Sequence, residues 1–339
     1  MTGPGPAVRA VLRQRRPDPA CWDAVVDAVC TEGPSYGAEQ VLVQAGAAVA
    51  RHADRIARDL RRQQGLFGTA VGHGVAARAL ALVGAGDLRA LPALHRLAER
   101  GGLPYMRREA RIMAALPPAE LTAVMLTKLR RDGDGHHGKT TTLDLLALCG
   151  AAAAPATAGR LAAYATTRDP VARRPRARRA AWAHWKVTGD PTLALDVCGA
   201  TVGAGTASHG LPFLADLGPL AAVHAEAVRR LMESPGAWTR TYAAYAYWRI
   251  TGDPEPAVPV LLAEVDPDWD GDPALPVREA VRILGEIGAP AVSVAPLLRR
   301  ILAQEERLGR PWDGVRILAD QAYVRTLTEA LEGIDGWGK

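Results

Sequence analysis

The chain is 339 residues long, 48% hydrophobic but only 5% aromatic, with 34 Gly and 25 Pro, and its basic residues are 37 Arg against 4 Lys. Ala, Leu and Val carry the apolar content, which weighs against an aromatic-rich β sandwich and predicts an all-α protein of close-packed helices. Net charge is +5, but residues through Lys186 hold 28 Lys and Arg against 15 Asp and Glu, and the remainder 13 against 21; that asymmetry is a hint of charged partner surfaces and is silent on fold.

In chain order, Met1 to Asp18 places its arginines after a very short apolar stretch, the reverse of a secretory signal, and residues 1–19 read as an N-terminal capping segment. After Gly46, Val49, Ala53, Ile56 and Leu60 recur at helical spacing, while Arg51, Arg55, Arg58 and Arg62 repeat the series on the opposite side. One face packs and the other is basic. Leu91, Leu94 and Ala98 give the next apolar face, accompanied by Arg89, Arg96 and Arg100. Glu120 to Arg131 has Leu121, Val124, Met125 and Leu129 at helical spacing. Gly133-Asp-Gly-His-His-Gly138-Lys139-Thr140 then satisfies the P-loop expression G-x-x-x-x-G-K-[ST]. That motif needs a strand feeding its glycines to a helix N-terminus; here a helix precedes it, so it reads as an inter-repeat loop. The longest run free of Asp, Glu, Lys, Arg and His, Leu145 to Gly159, falls short of the roughly 18–20 apolar residues of a membrane span.

Arg173-Arg-Pro-Arg-Ala-Arg-Arg179 is the densest basic stretch and reads as a solvated turn and first helical turn. Trp182-Ala-His-Trp-Lys-Val-Thr-Gly-Asp-Pro191 recurs 63 residues later as Tyr245-Ala-Tyr-Trp-Arg-Ile-Thr-Gly-Asp-Pro254. Its glycine suits a left-handed helix cap, its Asp an N-cap and its Pro the first helical position; the recurring aromatics read as core. His224-Ala-Glu226 has the spacing of zinc deaminases without their Pro-Cys-x-x-Cys. Asp266-Pro-Asp-Trp-Asp-Gly-Asp272 copies the first half of a calcium loop, but position 12 is Val277 instead of a carboxylate, so a solvated acidic loop is expected. Val258, Leu261 and Leu262, then Val292, Pro296 and Leu297, are expected as further apolar faces, and Gln321 to Leu331 as a terminal helix within capping residues 306–339. The scattered Cys21, Cys30, Cys149 and Cys198 make no zinc spacing and read as reduced, buried thiols in a cytoplasmic setting.

The breaks form a ruler: Gly46, Gly86, Pro117, Gly150, Gly189, Gly218, Gly252 and Gly288. Each interval holds two short helices and their turns, so about eight antiparallel helix pairs are expected over residues 20–305. No single pair buries its own apolar stripe, so neighbours must stack, and 1–339 reads as one α-solenoid.

Val277-Arg-Glu-Ala-Val-Arg-Ile-Leu-Gly-Glu-Ile-Gly-Ala-Pro290 and Arg168-Asp-Pro-Val171 resemble HEAT repeats, of the HEAT-like group also labelled by phycobilisome lyases; the Thr-Gly-Asp-Pro versions look like those of high-GC actinobacteria. The resemblance covers roughly residues 165–305 and implies a concave surface, lined by second helices, that binds another macromolecule. The chain has no His-Glu dipeptide of the kind HEAT-like iron hydroxylases use, and no cofactor, metal site or catalytic constellation is expected. A non-catalytic scaffold binding a protein partner is the first expectation, with no membrane partner. The alternative is a nucleic-acid-binding solenoid in which Arg51, Arg55, Arg58, Arg62, Arg89, Arg96 and Arg100 hold phosphates. A glycosylase-like variant of that reading would need a carboxylate framed by aromatics; Trp182, Trp185 and Asp190 supply only the residue types.

Overall fold

A computed structural model describes residues 18–31, 36–43, 45–63, 69–100, 103, 112–131, 139–166, 173–202, 209–305, 308 and 313–336. Among the described residues the protein is all-helical and has no strand, as the composition predicts. The chain divides into two compact units, Met1–Asp190 and Pro191–Lys339. The boundary falls in the Gly189-Asp190-Pro191 break, so the basic and acidic parts of the sequence coincide closely with the two units.

The first unit contains α1 (Pro19–Thr31), α2 (Tyr36–Val43), α3 (Ala53–Gln63), α4 (Thr69–Gly84), α5 (Leu91–Arg100), α6 (Pro118–Arg131), α7 (Lys139–Leu148), α8 (Ala154–Ala165) and α9 (Arg173–Thr188). The second contains α10 (Thr192–Gly199), α11 (Leu211–Leu217), α12 (Ala225–Leu231), α13 (Ala237–Thr251), α14 (Ala257–Ala263), α15 (Val277–Ile287), α16 (Ala295–Leu302) and α17 (Asp313–Asp335). Packing is local in sequence. Within the first unit α2 and α3 lie on α4, α5 on α6, and α7 and α8 on α9; within the second, α11 and α12 lie on α13, and α15 and α16 on α17. Each helix therefore hides its apolar stripe against partners one or two elements away. Leu121, Val124, Met125 and Leu129 of α6 are all buried, as their spacing requires.

All seven glycines of the ruler have positive φ. Gly252 is the left-handed cap of α13, its N–H donating to the Trp248 carbonyl at 2.8 Å. Gly218 and Gly288 differ: at ψ −133° and −135° they turn directly into 3-10 segments, Gly218–His224 and Ala289–Val294. The Asp-Pro step also differs from expectation. Asp253 accepts from the Glu255 N–H at 3.0 Å, and α14 begins only at Ala257, so the dipeptide builds a turn ahead of the helix.

The 3-10 segments overturn one predicted face. A 3-10 turn advances about 20° more per residue than an α-helix, and Ala291 at φ −92°, ψ 15° kinks the segment Ala289–Val294, so the face that follows is out of phase with an uninterrupted α-helix. Val292 is consequently 59% exposed and Pro296 faces solvent, while Ala291, Val294, Leu298 and Ile301 are buried. The terminal helix is longer than the predicted Gln321–Leu331 and buries Tyr323, Leu327, Ala330 and Ile334 at helical spacing. Leu211–Leu231 matches a membrane span by length and composition alone, but the chain turns at Gly218 and both of its helical parts lie against α13. Cys149 and Cys198 are buried, Cys21 and Cys30 half-buried, and all four are free thiols.

Candidate interaction sites

The arginine series lies where its spacing puts it, on the polar side of α3 and the 3-10 turn before it, but it is not a row of unopposed charges. Arg51 donates to Asp23 at 2.6 Å and to the Pro19 carbonyl at 2.8 Å, and Arg55 pairs with Asp27. Both aspartates belong to α1, so these cations tether α1 to α3 and to the 3-10 turn before it. Arg58 donates to the Asp54 carbonyl one turn back, and Arg62 is exposed. Arg89 reaches Asp54 of α3 at 2.7 Å while also bonding Asp87, whose side chain caps the 3-10 turn Leu88–Ala90. Those bonds hold the Asp87 carboxyl below the usual carboxylate range, against the opposing pull of partial burial, and hold Arg89 above its own. Arg96 is half-buried, with one guanidinium nitrogen lacking a hydrogen-bond partner among the described residues. Arg100 is exposed and already engaged. The structure thus brings Arg51, Arg55 and Arg89 onto aspartates of neighbouring elements, and it leaves Arg62 exposed.

A charge cluster that periodicity did not single out lies beneath this surface. Arg78 of α4 is fully buried; it donates to Asp59 of α3 at 2.6 Å and to the Gly74 carbonyl at 2.9 Å, approaches Glu39 of α2 at 3.5 Å, and reaches the Val29 carbonyl of α1. Gln63 donates to the same Asp59 carboxylate at 3.2 Å. One guanidinium thereby joins four helices, and its several donors suit it to that task better than a lysine. A methyl at Gly74 would meet Glu39 Oε1 at 2.8 Å, so glycine is what lets the carboxylate approach. Burial, then the Asp59 charge, pushes the nearby Cys30 thiol up, which makes it a poor nucleophile.

The aromatic repeat is not core. Trp182, Trp185, Tyr245 and Trp248 are all half-buried. Lys186 Nζ lies 4.2 Å from the Trp185 ring centre and 5.8 Å from that of Trp182. In the other unit Arg249 lies 5.9 Å from both Tyr245 and Trp248, and Arg282 5.3 Å from Tyr245. Glu279 and Glu286 pair with Arg282 in turn. Burial pushes the Tyr245 phenol up, and Glu286 adds to the shift. The same cation-on-aromatic motif recurs in each unit at corresponding positions, and the reason it escapes the core is that the packed face of α13 is carried by Thr241, Ala243, Ala244, Ala246 and Ile250.

In the second unit the loop Asp266–Asp272, the end of α16 and the middle of α17 enclose a cleft of about 560 Å³. Asp266, Asp270 and Asp272 each accept a backbone N–H two residues on, at 2.9 Å, so the expected acidic loop is a chain of tight turns. Trp269 donates to the Asp272 carbonyl at 3.0 Å and meets Tyr323 edge to face at 4.8 Å. The Tyr323 hydroxyl is buried with no hydrogen-bond partner among the described residues. Burial, with Asp266 adding to it, pushes its phenol up to about 12.

Of the P-loop look-alike, residues 133–138 lie outside the described residues; Lys139 opens α7, and the segment before the loop is the helix α6. Asp190 lies in the break after α9. Among the described residues no group of three or more His, Cys, Asp or Glu is arranged to hold a metal ion. No protein-family model and no curated protein sequence matches the chain.

Proposed function

We propose that the protein is a HEAT-like α-solenoid of about eight helix pairs that serves, without catalysis, as a cytoplasmic bacterial scaffold for a protein partner. The architecture is supported by the main helix packing among the described residues, which joins helices one or two elements apart, and by a positive-φ glycine at seven breaks; such arrays present many weak contacts on a stiff surface. The observation that carries the choice of partner is the pairing of Arg51, Arg55 and Arg89 with Asp23, Asp27 and Asp54. A phosphate backbone rewards cations that release counterions on binding, and three of the seven candidate arginines already have carboxylate counterions built in. The half-buried Trp and Tyr residues and the Arg249 and Arg282 beside them are, by contrast, residue types that anchor protein interfaces.

The test is a pull-down with the full chain at physiological salt, with bound species identified by mass spectrometry, alongside a salt titration of binding to generic DNA and RNA. The scaffold reading expects a defined protein that is lost when Trp185 and Trp248 are changed to Ala, and no nucleic-acid binding. Salt-dependent DNA or RNA binding abolished by replacing Arg51, Arg55, Arg58 and Arg62 with Ala would overturn it in favour of the alternative.

A further inference from the structure

The cleft of the second unit carries an inference independent of the scaffold reading. Its walls combine two features. The first is a concentration of negative charge: Asp268, Asp270, Glu305 and Asp320 line it, and no lining residue among those described is basic. Asp270 and Asp320 are already engaged, the latter accepting from the Leu308 N–H at 3.3 Å, whereas Asp268 and Glu305 stand exposed at its margin. The second is the aromatic wall of Trp269 and Tyr323, in which Tyr323 is 3% exposed and its hydroxyl is unsatisfied. A buried hydroxyl without a partner costs stability unless something supplies the missing bond. Carboxylates beside the half-buried Trp269 and an unsatisfied hydroxyl describe a site for an organic cation, and the volume falls within the range of ligand clefts, about 300–1,000 Å³.

Of the common cations, guanidinium fits best. It is planar, weakly hydrated and stacks on aromatic faces, and its five N–H donors can serve several carboxylates and a hydroxyl at once. A primary ammonium concentrates its charge at one strongly hydrated point. Gly271 turns the acidic loop at φ +96°, where an added Cβ would lie 3.4 Å from Leu308. We propose that this cleft binds a guanidinium group, carried either by an arginine side chain of a peptide or by a small guanidino compound.

Isothermal titration of the full chain tests this with three probes: agmatine, a blocked arginine tripeptide, and the same tripeptide with citrulline, which keeps the shape and removes the charge. Agmatine and the arginine peptide are expected to bind, with citrulline weaker by about tenfold or more. A tighter peptide assigns the group to a polypeptide; an equal or tighter agmatine assigns it to a small compound. The double variant Asp268→Asn, Glu305→Gln changes two exposed side chains, so its melting temperature should be that of the wild type while affinity falls about tenfold. Tyr323→Phe should weaken binding with the cleft shape retained. The inference fails if neither cation binds up to about 10 mM, if citrulline binds as well as arginine, or if the double variant binds undiminished.

Discussion

A methyl group added at Gly285 tests how the second unit is held together. α15 and α17 meet backbone to backbone there: a Cβ on Gly285 would lie 2.6 Å from Ala330 Cα and 2.8 Å from Ala330 Cβ, whereas carbon atoms in contact want about 3.5–4.0 Å. The obstructing atoms belong to a helix and have no rotamer to swing into. α17 must therefore retreat by about 1 Å, loosening Tyr323, Leu327 and Ile334, which share its buried face. Overpacking of this kind costs about 1–3 kcal/mol, and alanine returns about 1 kcal/mol of helix propensity over glycine. The backbone clash puts the cost at the upper end, so Gly285→Ala should destabilise by about 1–2 kcal/mol. Gly159→Ala is the matched control. Gly159 is exposed in the interior of α8 with nothing within 4 Å of the added carbon, so only the propensity gain remains and the variant should be more stable by about 0.5–1 kcal/mol. Urea unfolding followed by circular dichroism reads both. Two identical chemical changes should move the midpoint in opposite directions, and a Gly285→Ala variant as stable as the wild type would refute the close-packed helix contact.

Three further outcomes follow from the described geometry. Arg78→Met should cost about 3–5 kcal/mol in the same assay, because it strands Asp59 and Glu39 in the interior, and adding Asp59→Asn and Glu39→Gln should recover much of it. Asp87→Ala should cost about 1 kcal/mol at neutral pH through loss of a cap. Since the folded Asp87 pKa lies below its unfolded value of about 3.9, the difference between wild type and variant should shrink as pH falls below about 4 and persist above it. For Tyr323 the sign is reversed. Its phenol is raised to about 12 in the folded protein against about 10 unfolded, so the wild type should lose up to about 2–3 kcal/mol between pH 10 and 12; Tyr323→Phe should lack that alkaline loss, as denaturant titrations across the interval will show.

The helical class and the positions of the breaks were legible because both are local properties: apolar spacing marks a buried face, and glycine is the residue most at ease in the positive-φ corners that Gly252 and Gly288 turn. What escaped was whatever one face does to another. Arg51 and Asp23 are 28 residues apart and Arg89 and Asp54 are 35, so a stripe of arginine read along one helix resembled an open patch until its neighbours supplied the aspartates. Arg78 was hidden for the complementary reason: its segment reads as an apolar helix with one Arg and no acidic residue, and nothing local indicates that Glu39 and Asp59 arrive from two other helices to meet it. The short 3-10 turns did the remaining damage, rotating α16 so that its core face is Ala295, Leu298 and Ile301.

The cleft carried a signal that was present but divided. Asp268-Trp269-Asp270 suggested calcium, and the missing twelfth-position carboxylate argued against it; the tryptophan between the acids was the informative residue. On α17, Tyr323 occupies a core position with Leu327 and Ala330, and a tyrosine there must either find a partner for its hydroxyl or keep one open for something else. Joining the two observations requires knowing that the loop and the helix, more than 50 residues apart, face the same cleft. Only packing supplies that, and it is why a site made of two unremarkable segments becomes an argument about a ligand.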